Sequence, residues 1–148
     1  MYRLLTPAFL MAVCLVQLFA PWPRHAAAEG ALAVGITGDV AKDGYSIGIA
    51  YNIKTEEEAR QGALEHCRKT GSPATKPKCA IVATFHLQCA AEAEDPQAGT
   101  PGAGWGIGPD KDAAEKIAMS NCAATAGTGR EKFCKVVTSK CDGQKEEK

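Results

Sequence analysis

Two cysteine pairs constrain this chain more than anything else in it. Cys67 and Cys79 enclose eleven residues, and Cys122 and Cys134 enclose eleven more, 55 positions further along. Each time a helix-like segment ends on the first cysteine and a strand-like run opens on the second. The runs are Cys79-Ala80-Ile81-Val82 and Cys134-Lys135-Val136-Val137, and a further cysteine closes each, Cys89 and Cys141. This duplicated plan speaks to architecture and compartment. It does not name an activity.

The compartment follows from the first 28 residues, which have the layout of a cleaved secretory signal peptide. Arg3 precedes an apolar run from Leu4 to Ala20, then come Pro21-Trp22-Pro23-Arg24 and an Ala26-x-Ala28 site. That run is about 17 residues, the lower limit for a membrane span. A retained N-terminal anchor is the competing reading; Pro7 and the small-residue site favour cleavage. The remaining 120 residues are the size of one domain. Arg3 and Arg24 leave with the leader, so 15 basic residues face 17 acidic ones. A net charge of about −2 lacks the basic footprint of a nucleic-acid binder. With no second long apolar run, no membrane attachment is expected after cleavage.

Cys14 is also removed, which turns seven cysteines into six. In a secreted or periplasmic chain an even number reads as three disulfides. Leu, Ile, Val and Phe supply only 17 of the 120 mature residues, below the roughly 20% expected of an ordinary core. Covalent staples are the natural compensation.

Gly30 to Ile36 alternates larger and smaller residues and reads as a strand. After a turn-rich stretch, Tyr45, Ile47, Ile49 and Tyr51 share one face of a second strand, opposite Gly44, Ser46 and Gly48. Thr55-Glu56-Glu57-Glu58 is a capping box opening a helix with a buried stripe of Ala59, Ala63 and Cys67, and Gly71 is its stop. Cys79 to Leu87 is a strand, and Cys89 to Glu94 either continues it or starts another. The Pro- and Gly-containing stretch Asp95 to Pro101 is read as the break between halves. Beyond it, Gly102, Gly104, Gly106 and Gly108 alternate with Ala103, Trp105 and Ile107, an all-glycine face that lets a helix or second sheet approach closely. Asp110 or Asp112 caps a helix bearing Ala114, Ile117, Ala118 and Cys122, and Cys134 to Cys141 is the last strand. The expectation is one α+β domain over 29–142, disulfide-stapled and built from two hairpin–helix–strand repeats, about 30–89 and 90–142. The repeats are expected to pack about a pseudo-twofold axis, with 143–148 as a disordered charged tail.

Six cysteines allow fifteen connectivities, and sequence alone selects none of them. The duplication favours Cys67–Cys79 and Cys122–Cys134, leaving Cys89–Cys141 to join the halves. No pair has C-x-x-C spacing, so zinc is the weaker reading.

The segments Gly30-Ala31-Leu32-Ala33, Ala63-Leu64-Glu65-His66-Cys67, Cys79-Ala80-Ile81-Val82 and Cys89-Ala90-Ala91 resemble a small exported bacterial domain, domain of unknown function 4189. So do the helix ending at Cys122 and the run from Cys134 to Cys141. The resemblance covers about residues 30 to 142. It departs at Glu92 and Glu94, where small or apolar residues are usual. It implies a secreted or periplasmic α/β domain without established catalytic residues.

The search for chemistry is mostly negative. His66 and His86 lack a free thiol to activate if all six cysteines are oxidised. Strict period-two glycines mark a strand, not a dinucleotide loop. Glu56, Glu57 and Glu58 diverge around a helix and cap it. Glu92 and Glu94 share one side of a strand and read as an exposed polar edge. Trp105 and Tyr45 read as packing and Tyr51 as exposed; all three are candidate partner contacts. The expected role is therefore a non-catalytic binding module for an unknown protein or an envelope or host component, with no cofactor and no metal. The alternatives are a small hydrolase using Glu92 and Glu94 or His86, and a protease inhibitor presenting the Arg68–Lys78 or Ala123–Phe133 loop.

Overall fold

The first strand, β1 (Glu29–Ile36), sends its small and large side chains to opposite sides. Ala31 and Ala33 lie on one face, Leu32 and Val34 on the other, and all four are buried. A strand covered on both faces belongs in the middle of a sheet. In this computed structural model, which describes residues 29–144, β1 is flanked by β2 (Tyr45–Ile53) and β3 (Ala80–Phe85) in the antiparallel order β2-β1-β3. The leader expected over 1–28 and residues 145–148 lie outside the described residues.

The second sheet is built alike, from β4 (Cys89–Glu94), β5 (Ala103–Gly108) and β6 (Lys135–Cys141) in the order β5-β4-β6. Each half is thus a hairpin, a helix and a returning strand. A one-turn helix, α1 (Val40–Asp43), interrupts the first hairpin where only a turn was expected; Asp39 caps it by accepting from Lys42 N at 3.1 Å. The long helices are α2 (Glu56–Thr70), capped by Thr55, and α3 (Lys111–Thr125), capped by Asp110. Thr55 accepts from Glu58 N at 3.2 Å and Asp110 from Ala113 N at 2.8 Å.

Packing produces four layers. Ala59, Ala63 and Cys67 of α2 bury against Ala31, Ala33 and Ala50. Ala114, Ala118 and Cys122 of α3 bury against Cys89, Ala91 and Ala93. Between the sheets lie Leu32, Val34, Ile49, Phe85 and Ala90, with Ile47, Tyr51, Trp105 and Ile107 against them. The helices rest almost on strand backbone. A side chain at Gly48 would overlap Ala63 O and Cys67 N, and one at Gly104 would overlap Ala118 O and Cys122 N. The glycine face of β5 is therefore where α3 sits. Thr70 and Thr125 hold the same joints, donating to Ile47 O at 3.1 Å and Ala103 O at 2.8 Å. Ile117 lies exposed beside the buried stripe of Ala114, Ala118 and Cys122.

The two ladders also match in register. Gly48 stands opposite Ala33 and Gly104 opposite Ala93. The β1–β3 ladder slips between Leu32 and Ala33, the β4–β6 ladder between Glu92 and Ala93. Leu32 and Val34 therefore correspond to Glu92 and Glu94.

Disulfides join Cys67 to Cys79, Cys122 to Cys134 and Cys89 to Cys141. The Cys67–Cys79 and Cys122–Cys134 bonds tie a helix end to the next strand with the same Cα separation, 6.0 Å. The Cys89–Cys141 bond does not join the halves, contrary to expectation. It is a cross-strand pair within the second sheet, directly opposed across β4 and β6. The reason is the true junction, which is not the 95–101 stretch. That stretch is the β4–β5 hairpin loop; the halves meet at His86-Leu87-Gln88, so Cys89 opens the second half rather than closing the first. By register, Glu29 and His86 are the first half's counterparts of Cys89 and Cys141. They are paired too: His86 Nδ1 lies 3.5 Å from Glu29 Oε1.

The junction is held by Asp142, only 2% exposed. Its carboxylate accepts from Asn52 N at 2.8 Å and from Leu87 N at 3.0 Å. Both donors are non-glycine residues in the left-handed region, with φ of 58° and 51°. Gly143 and Gln144, read as frayed tail, instead bond to the Asn52 side chain at 2.7 and 3.1 Å.

Candidate functional site

On the inner face of the second sheet, β4 presents Ala90, Glu92 and Glu94. Because β4 is a central strand, Glu92 is only 7% exposed, and the expectation of an exposed polar edge is overturned. Its partner comes from the other sheet. Tyr45, at the start of β2, places its hydroxyl 2.7 Å from Glu92 Oε1 and 2.9 Å from Glu94 Oε2. Burial pushes the Glu92 carboxyl above its ordinary range; the Tyr45 hydrogen bond opposes this and the Glu94 charge adds to it. Burial, then Glu92 and Glu94, raises the Tyr45 phenol far beyond its usual value, so it remains protonated.

Two cavities flank this cluster. A groove of about 210 Å³ is lined by Ile47, Ile49 and Tyr51 of β2, His66 of α2, and Glu92, Thr138 and Lys140. Most of its surface is hydrocarbon, and Lys140 Nζ stands 5.1 Å from the Tyr51 ring centroid. An open cleft of about 360 Å³ lies on the other side, between α1 with Tyr45 and Glu94 and the 95–102 loop. Glu92 thus borders the groove, and Tyr45 and Glu94 border the cleft. The loop is fixed by Asp95, whose buried carboxylate takes Nε and Nη2 of Arg130 in a bidentate pair. Arg130 holds the Asp95 carboxyl below its ordinary range.

Tyr51 and Trp105 are half-buried in the inter-sheet layer, and Tyr45 is half-buried where its hydroxyl meets Glu92 and Glu94. Tyr51 is not the freely exposed aromatic expected, but it does form part of the groove wall. His86 is 52% exposed, paired with Glu29, and borders neither cavity. Glu92 and Glu94 are brought together, yet the Tyr45 hydroxyl is bonded to both. The two disulfide-bounded loops are not extended. Helix runs into each as far as Thr70 and Thr125, a 3-10 turn ends each at 76–78 and 131–133, and Thr75 and Ala126 anchor them by burial. Among the described residues no cluster of three or more His, Cys, Asp or Glu is arranged to hold a metal ion, and no helix is long and apolar enough to cross a membrane. The disulfides point to maturation in an oxidising environment outside the cytoplasm.

The bonds from Tyr45 and from Asp142 were not foreseen from sequence. The one available signal was the two-residue spacing of Glu92 and Glu94. Residues 30–141 match the family model described as Domain of unknown function (DUF4189). No curated protein and no solved structure matches the chain.

Proposed function

From a chain that belongs to the DUF4189 family, we propose an exported, non-catalytic binding module, secreted or periplasmic, that receives its partner in the groove between β2 and β6. The groove itself carries this reading: an apolar floor of Ile47, Ile49 and the Tyr51 ring, with a few polar groups from Glu92, Thr138, Lys140 and His66 around it. At about 210 Å³ it is smaller than the roughly 300–1,000 Å³ of sites for drug-sized ligands. It suits a side chain or short segment of a protein or envelope component. Disulfides hold the helix–strand joints on either side rigid, which lowers the ordering cost of binding.

The test uses oxidised residues 29–148 and a plugged variant, Thr138→Trp, as affinity baits against envelope and host extracts. A partner held by the wild type and lost by Thr138→Trp supports the groove. A partner held equally by both, or none held by either, refutes it. A hydrolase reading has one observation in its favour, the pairing of buried Glu92 with half-buried Glu94. It requires turnover abolished by Glu92→Gln and Glu94→Gln.

A further inference from the structure

The matched registers make Glu92 and Glu94 conspicuous, because the first half fills the same layer with Leu32 and Val34. The fold needs only hydrocarbon here. Instead it carries two carboxyl groups on one sheet and a phenol from the other. Tyr45 has a single hydroxyl hydrogen and can donate to one carboxylate. The second contact, 2.7 or 2.9 Å, is a hydrogen bond only if that carboxyl keeps its own proton and donates to the phenolic oxygen. The closed arrangement therefore holds two protons over three groups, and none of the disulfides crosses from one sheet to the other.

We propose that Tyr45, Glu92 and Glu94 form a proton-operated latch between the two sheets, closed while one carboxyl is protonated and released when both are ionised. On release the proton leaves to water, one carboxylate loses its donor, and two negative charges face each other across one hydroxyl. The wall separating the groove from the cleft then loosens. The raised Glu92 value has the matching sign: this stabilisation is complete below the ordinary 4.5 and is lost as pH rises through the folded value. Other titratable groups face the latch from each side. Along the groove they are His66, Tyr51 and Lys140. Along the cleft they are Lys42, Asp43 and Asp95, the last engaged by Arg130.

The experiment follows urea unfolding of oxidised residues 29–148 from pH 4 to 8, for wild type, Glu92→Gln and His66→Gln. The amide introduced by Glu92→Gln would donate to Tyr45 while Tyr45 donates to Glu94, satisfying the cluster at every pH. The wild-type folding constant should fall relative to Glu92→Gln by up to about tenfold per pH unit across the titration. His66→Gln should keep the wild-type profile. Carboxyl carbon-13 titration of the wild type should show one glutamate of the pair holding its proton above the ordinary range, and this reading decides the matter even if Glu92→Gln fails to fold. Parallel profiles for wild type and Glu92→Gln, loss of the pH dependence in His66→Gln, or two ordinary carboxyl titrations would each overturn the latch.

Discussion

Replacing Gly48 or Gly104 with alanine tests how closely the helices lie on the sheets. The added Cβ would stand under 3.0 Å from two helix backbone atoms at Gly48 and from three at Gly104, closer than real Cβ atoms come. The obstacle is backbone, so no rotamer relieves it, and the helix must retreat by roughly 1 Å to regain van der Waals distance. In the first half that retreat opens the layer of Ala31, Ala33, Ala50, Ala59, Ala63 and Cys67. Six methyl-sized contacts at about 0.8 kcal/mol each are worth about 5 kcal/mol. A gap of this size forfeits up to about half of such contacts. Each substitution should therefore cost about 2–3 kcal/mol, within the usual range for overpacking. Gly62→Ala is the internal control. Its Cβ would lie 3.5 Å from Ala50 Cβ, an ordinary contact, and a helical alanine there should add about 1 kcal/mol. Urea denaturation of the oxidised protein, followed by circular dichroism, gives all three values. If Gly48→Ala and Gly104→Ala fall within about 0.5 kcal/mol of wild type, the proposed seating of the helices on glycine is wrong.

Three further outcomes follow from other joints. The double substitution Glu29→Cys and His86→Cys should form a fourth disulfide by analogy with Cys89–Cys141, adding up to about 4 kcal/mol by loop closure; a persistent pair of free thiols on native titration refutes the register match. Asp142→Ala leaves two backbone amides without their acceptor and should cost about 3 kcal/mol, against about half that for Asp142→Asn, both read by urea midpoint. The lowered Asp95 value means its contribution is present above the ordinary 3.8 and lost as pH falls through the folded value. Arg130→Gln should therefore differ from wild type at pH 7 and converge on it towards pH 2, and a pH-independent gap in urea midpoint would contradict this.

The helices were legible because their signals are local. The Ala59–Ala63–Cys67 and Ala114–Ala118–Cys122 stripes, the Thr55 cap and the glycine face of β5 each depend on spacing within a few residues. Strand order is not local, and this is where the reading of the sequence erred. Nothing in Cys89-Ala90-Ala91-Glu92-Ala93-Glu94 says that strands will flank it on both sides, so alternate glutamates resembled an edge. The junction was missed because its left-handed residue is Leu87, a type without turn character, stabilised by Asp142 from 55 residues away. Meanwhile Pro96, Gly99 and Pro101 advertised a boundary and delivered a hairpin loop.

The placement of Cys89–Cys141 within one sheet has a consequence for resistance to proteolysis. A cut inside either cysteine-bounded loop leaves the pieces tied together. A single cut in His86-Leu87-Gln88, where Leu87 is 61% exposed, would leave two closed fragments held by packing and hydrogen bonds alone, free to dissociate or to exchange partners with another nicked molecule.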